Sequence, residues 1–205
     1  MKPAYTVGSL AVLLAACANP GNDATWARYT REGNVAYTQG NLTFAEESHR
    51  RALNSTQIGN LDVERQATSL HNLGLVKRRL CKLDEARDVL SKAYELRDKN
   101  SAAPPHMLSG TIFELAQLHY DQRRFADAVR LMERGLPIVE KAGFESSAPE
   151  LFARVLLQYA DALRNVNRTA DAQAVQARLD ALASARGIDL KRKPDTSPFN
   201  HPPCG

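Results

Sequence analysis

A chain of 205 residues that is 43% hydrophobic and 24% charged holds one ordinary domain with a short extension, and its composition excludes an intrinsically disordered polymer. The formal charge of +4 comes from Arg and Lys interleaved with Asp and Glu along the whole chain, not from the one-sided basic stripe of a nucleic-acid binder, so no nucleic acid is expected as a partner. Only 6% of residues are aromatic while Ala, Leu and Arg recur, a bias toward helix over sheet.

The N-terminus reads Met1-Lys2, then an apolar run from about Tyr5 to Ala16, then Cys17. A basic start, a short apolar core and small residues before a cleavage point predict an export signal, and the run falls short of the ~20 apolar residues of a membrane-spanning helix. Leu14-Ala15-Ala16-Cys17 resembles the bacterial lipobox. That resemblance implies a signal peptide over residues 1–16, cleavage before Cys17 and diacylglycerol on the Cys17 thiol. Residues 17–24 would then be a lipidated tether, holding the domain close to a bilayer. Ala18 stands where an aspartate would signal inner-membrane retention, which points to the outer membrane of a Gram-negative envelope, facing the periplasm.

Four segments follow that align on an alanine. They run from Tyr29 through Gly33, Ala45 and Ala52; from Leu70 through Gly74, Ala86 and Ala93; from Ile112 through Ala116, Ala128 and Gly135; and from Leu156 through Ala160, Ala172 and Leu179. The anchoring alanines Ala45, Ala86, Ala128 and Ala172 recur at intervals of 41, 42 and 44 residues. Each segment places a large apolar or aromatic residue four positions before a small one, with the alanine twelve positions later. A small residue there lets two helices approach closely, and the large ones fill the groove beside it.

The spacing predicts eight helices, near 23–39, 44–58, 61–80, 84–99, 106–122, 125–142, 148–165 and 169–186. Thr43 through Glu46 has the spacing of a capping box, and Asp84 and Ser147 stand where N-caps are expected. Pro104-Pro105 separates the second and third hairpins. The polar His49 and Gln176 occupy positions that are normally large and apolar, and Leu179 replaces the second small residue of the last hairpin. Residues 187–205, with Lys191-Arg192-Lys193 and a Pro-rich end, are expected to form a flexible tail.

The repeat resembles the tetratricopeptide pattern, in the extended form of kinesin light chain, over roughly residues 25–186. The resemblance implies an all-α fold, a right-handed superhelical solenoid of about four helical hairpins whose first helices line a concave groove. Carried onto this register, the groove positions of the family are Asn34, Tyr37 and Thr38 in the first hairpin, and His71, Leu75, Arg78 and Arg79 in the second. The third supplies Phe113, Gln117 and Tyr120, and the fourth Leu157, Asp161 and Arg164. Gly33-Asn34 is similar to the start of the clamp that holds a terminal Glu-Glu-Val-Asp, but Thr30, Leu75, Phe113 and Gln117 do not carry the remaining clamp groups, so that ligand is not expected.

No phosphate-binding loop, HExxH, paired CxxC or G-x-S-x-G occurs, so no catalytic residue, cofactor or metal site is expected. The five histidines, 49, 71, 106, 119 and 201, are scattered over different hairpins and the tail. Cys81 falls in the turn of the second hairpin and Cys204 in the tail; in an oxidising compartment the two could bridge and pin the tail. The expectation for function is therefore a membrane-anchored adaptor binding an envelope protein or peptide in its groove. A structural homo-oligomer formed by self-association, or a non-catalytic activator of a cell-wall enzyme, is the alternative.

Overall fold

A computed structural model describes residues 20–190 and Cys204. Cys17, the lipobox before it and the basic triplet at 191–193 lie outside the described residues. The elements are α1 (Pro20–Thr38), α2 (Leu42–Ile58), α3 (Val63–Arg79), α4 (Leu83–Lys99), α5 (Pro105–Asp121), α6 (Phe125–Lys141), a single turn α7 (Phe144–Ser147), α8 (Pro149–Asn165) and α9 (Thr169–Arg186). They pair as antiparallel hairpins α1–α2, α3–α4, α5–α6 and α8–α9, and each hairpin stacks on the next through α2–α3, α4–α5 and α6–α8. The result is an all-α solenoid of four hairpins.

The eight long helices fall within a few residues of the predicted ones. Helix α1, however, begins at Pro20, so residues 20–24 of the expected tether are helical. Proline is favourable there because the first helical N–H has no intrahelical acceptor to lose. Helix α7 was not expected, since one turn of four residues has no periodicity to read.

The caps differ from the predicted ones for one reason, visible in all four hairpin turns. Each turn places a residue with positive φ five positions before the anchoring alanine: Gly40 (77°), Cys81 (58°), Arg123 (58°) and Asn167 (62°). The next N–H then reaches back five residues, Asn41 to the Ala36 carbonyl, Lys82 to Lys77, Arg124 to His119 and Arg168 to Leu163. This closure satisfies the last carbonyls of the first helix and leaves the following residue as N-cap of the second. Asn41, not Thr43, therefore caps α2, accepting from the Phe44 N–H at 3.3 Å. Asp84 lies inside the first turn of α4, and Ala148 stands where Ser147 was expected to cap. Asp62, which the pattern did not single out, caps α3 through the Arg65 N–H at 2.9 Å.

The anchoring alanines Ala45, Ala86, Ala128 and Ala172 are at most 1% exposed, each at the closest approach of its hairpin. A Cβ built on Gly74 would lie 2.5 Å from Leu90 Cγ, and one on Gly33 would lie 2.6 Å from Cε1 of the His49 ring. The imidazole of His49 thus lies against bare backbone at 2% exposure and serves as the large core residue of the first hairpin. The largest core cluster fills the third and fourth hairpins around Phe113, Met132, Phe152, Leu156, Leu163 and Leu179.

The fold does not end at α9. Gly187 closes the helix with φ 62°, and Ile188 and Leu190 pack against the C-terminal core cluster. Cys204 is joined to Cys81, with the two Cα atoms 5.5 Å apart. The segment expected as a free tail is therefore fixed at both of its described ends.

Candidate partner-binding groove

Helices α1, α3, α5 and α8 are the first helices of their hairpins and carry the groove positions assigned from the repeat; of these, Phe113 packs against Gly135 of α6 and Arg164 donates to Gln176 of α9. The structure links these positions through a series of polar contacts between neighbouring first helices. Between α1 and α3, Arg79 Nη1 donates to the Tyr37 carbonyl at 3.0 Å and its guanidinium stands 4.6 Å from the Tyr37 ring centroid. Between α3 and α5, Arg78 Nη1 meets Glu114 Oε2 at 3.3 Å and its Nε lies 3.9 Å from Asp121. His71 Nδ1 and Thr111 Oγ1 are 3.2 Å apart in the same interface. Between α5 and α8, the Gln158 amide donates to the Gln117 side-chain carbonyl and the Tyr120 hydroxyl to Asp161.

The assigned residues therefore divide into two groups. Arg78, Phe113 and Gln117 are buried, at 3, 7 and 8% exposure; Arg78 and Gln117 join one first helix to the next, and Phe113 belongs to the core cluster with Met132 and Val139 of α6. Tyr37, His71, Leu75, Arg79, Tyr120 and Asp161 are half-buried, while Asn34, Thr38, Leu157 and Arg164 are exposed. Glu114 and Asp121 belong to the same interface and were missed. The only sequence signal was a carboxylate set inside the apolar run Ile112-Phe113-Glu114-Leu115-Ala116. At the edge of this face, Phe113, Glu114, Val139, Phe144, Phe152 and Val155 line a largely apolar cavity of about 150 Å³ between α5, α6, α7 and α8.

The electrostatics follow from burial. Desolvation raises the Glu114 carboxyl to about 7 despite Arg78, and raises the Asp121 carboxyl too. Desolvation lowers His49 to about 4, and its Nδ1 finds no hydrogen-bond partner among the described residues. Burial, then the charges of Arg97 and His49, lowers His71 to about 3.

These shifts have opposite consequences for stability. His49 is neutral when folded but protonates when unfolded below its ordinary value of 6.5, so stability present above that pH is lost as pH falls toward about 4. For this one group the difference corresponds to roughly 3 kcal/mol. Glu114 acts the other way: its contribution is fully present below the ordinary 4.5 and is lost as pH rises through about 7. Glu114→Gln removes that opposing slope. Denaturant unfolding between pH 7 and 4.5 should then show the variant losing stability on acidification more steeply than the parent; parallel pH profiles would contradict the assignment.

Among the described residues no group of three or more His, Cys, Asp or Glu side chains is placed to hold a metal ion. Comparison with known proteins gives the class. Family models of the tetratricopeptide repeat match residues 24–99 and 114–142. The chain belongs to the tetratricopeptide repeat family.

Solved structures share the fold at low identity. BtubC (BKLC) from P. vanneervenii superposes with a TM-score of 0.73 at 18% identity, covering 86% of this chain and 70% of its own. A protein of nearly identical kinesin-light-chain TPR-like repeats from Podosopora anserina gives 0.61 at 19% identity, covering 80% and 77%. Aspartyl phosphate phosphatase F from Bacillus subtilis gives 0.66 at 14% identity, covering 79% of this chain and 41% of that one. No curated protein matches the sequence. The fold is that of a protein–protein interaction scaffold, and these repeats are in general non-catalytic.

Proposed function

We propose that the protein is a lipid-anchored adaptor of the bacterial cell envelope that holds a partner protein or peptide on its concave face, without chemistry of its own. The observation that carries this reading is the shape of that face. Cross-helix contacts fix it in advance, while Asn34, Thr38, Leu157 and Arg164 remain exposed on it. A surface set before binding loses little conformational freedom when a partner arrives, and mixed apolar, amide and Arg groups combine contact area with hydrogen bonds.

Two further features support the envelope setting. The lipobox-like Leu14-Ala15-Ala16-Cys17 would place acyl chains on Cys17, and several chains together anchor stably where one binds reversibly. A disulfide such as Cys81–Cys204 belongs to an oxidising compartment, which the periplasm is and the cytoplasm is not. No helix among the described residues is long and apolar enough to cross a membrane, so in this reading attachment falls to the lipid.

The test is crosslinking in intact cells and recovery of the protein from detergent-solubilised envelope, beside a triple variant Asn34→Ala, Leu157→Asp, Arg164→Glu. These positions are chosen because they are exposed; Arg78 and Tyr120 hold the helices together, and truncating them would confound binding with folding. A partner recovered with the parent and reduced at least tenfold with the variant, at unchanged helicity, is the expected result. Undiminished recovery by the variant would overturn the groove assignment. Recovery of only a second copy of this chain would replace the adaptor with a homo-oligomer.

A further inference from the structure

The first helices of the third and fourth hairpins are joined by side-chain pairs with one spacing. Gln117 meets Gln158 and Tyr120 meets Asp161, each pair 41 residues apart along α5 and α8. Two turns earlier on the same two faces stand Gly110 and Leu151, which have the same separation. Gly110 has no side chain to bring to that pairing, and both residues line the cavity of about 150 Å³ between these hairpins.

The local sequence accounts for the space. The interval from Ala128 to Ala172 is 44 residues, against 41 and 42 for the others, and α7 lies within it. Phe144 of α7 packs half-buried against the C-terminal core cluster and becomes one wall of the cavity. Gly110 is the other half of the cause. The corresponding positions of the other first helices hold Ala27, Thr68 and Arg154. A Cβ on Gly33, Gly74 or Gly135 would fall 2.6, 2.5 or 2.9 Å from a neighbouring side chain, so close packing requires those glycines. A Cβ on Gly110 would meet nothing within 4 Å, and its φ is not positive. Glycine inside a helix is destabilising relative to alanine, and the packing of the hairpins supplies no reason for this one. What its absent side chain does is keep the cavity open.

The lining defines the guest. Phe113, Phe144 and Phe152 supply aromatic walls, and Val139, Leu151 and Val155 aliphatic ones. The two buried polar side chains of the lining are already engaged. Ser109 donates to the His106 carbonyl at 3.2 Å, and Glu114 Oε2 meets Arg78 at 3.3 Å. An apolar cavity of roughly 150 Å³ stays dry and admits one benzene ring. Aromatic walls favour an aromatic guest through edge-to-face contact. Pockets for whole small molecules run from about 300 Å³ upward, so this space fits one side chain of a larger ligand better than a ligand of its own. The lining residues that reach solvent, His106, Gly110, Phe144 and Leu151, form its mouth, in line with Gln117 and Gln158 of the groove.

We propose that this cavity is a pocket for one phenylalanine-like side chain of the protein or peptide held on the concave face. The proposal rests on the groove reading above and adds the residue type that the partner presents.

The test is methyl NMR on the purified full chain with isotope-labelled valine and leucine. Its probes are acetyl-Gly-Phe-Gly-amide, acetyl-Gly-Ala-Gly-amide and benzene. Gly110→Leu is the matched variant, since it fills the cavity from α5 while raising helix propensity, so that loss of binding is not loss of folding. The expected result is a saturable shift of the Val139, Leu151 and Val155 methyls with the Phe peptide and with benzene, and none with the Ala peptide. Binding of the Phe peptide should weaken at least tenfold in Gly110→Leu. A response to benzene alone would assign the pocket to a free aromatic molecule and overturn the proposal. So would no saturable response to any probe, an equal response to the Ala peptide, or undiminished binding by Gly110→Leu. No cellular partner enters this measurement. A Phe peptide that binds, beside cells in which no partner is found on the concave face, would sink the adaptor reading and leave the pocket standing.

Discussion

Glu64→Ala should lower the free energy of unfolding by about 3 kcal/mol, an effect far larger than its position at a helix start suggests. Glu64 is the counter-ion of Arg97, whose side chain is 1% exposed. The guanidinium reaches from α4 to two other helices at once. It donates to Glu64 Oε1 at 2.7 and 3.0 Å and to Thr68 Oγ1 at 3.0 Å on α3, and to the Met107 carbonyl at 3.2 Å and the Thr111 hydroxyl on α5.

Removing the carboxylate leaves a buried positive charge with only neutral acceptors, and the cost of that charge dominates. Arg97→Met leaves Glu64 able to reach solvent, so the double variant Glu64→Ala/Arg97→Met should be more stable than the sum of the single losses predicts. Denaturant unfolding of the four proteins gives the coupling directly. A loss below ~0.5 kcal/mol for Glu64→Ala would place the pair among ordinary surface contacts and contradict its role as the clamp between the second and third hairpins.

The second large effect is expected at Gly74. Its missing side chain lets Leu90, fully buried, press against the α3 backbone, with a Cβ there falling 2.5 and 2.7 Å from Leu90 Cγ and Cδ2. Gly74→Ala would gain about 1 kcal/mol of helix propensity against this overlap, but Gly74→Val gains less and adds two methyl groups in a space that holds none. Overpacking of this kind costs typically 1–3 kcal/mol, and Gly74→Val belongs at the upper end. Leu90→Ala should partly relieve it, so that the double variant is less destabilised than additivity requires. A near-neutral Gly74→Val would mean that α3 and α4 can part without loss, which their burial denies.

Those two residues show what was legible in the sequence and what was not. Gly74 could be found because its partner is fixed by the repeat: the hairpin register follows from a small residue twelve positions before an alanine, and the same spacing set out all eight long helices. Arg97 could not, since its partners Glu64 and Thr111 are 33 and 14 residues away, the second of them in the next hairpin, and no periodicity links them. The groove divides in the same way. Its positions follow from helical phase, but the burial of Arg78 depends on Glu114, 36 residues distant. The capping residues were misread because the turn is closed by positive φ at Gly40, Cys81, Arg123 and Asn167. Three of these four are not glycine, and the cap falls on whatever residue comes next. The Cys81–Cys204 bond needed a distance that a sequence separation of 123 conceals.

The most direct test of the central claim, that the concave face is where this protein meets its partner, is photo-crosslinking in living cells from single sites. The crosslinker is placed at Asn34 or Arg164 on the exposed ends of that face, and at Lys92 on the opposite side. The account predicts one discrete crosslinked species of higher mass from Asn34 or Arg164, carrying a protein other than this chain, and none from Lys92. A discrete adduct from Lys92, with none from either concave position, would put the working surface on the other side of the solenoid.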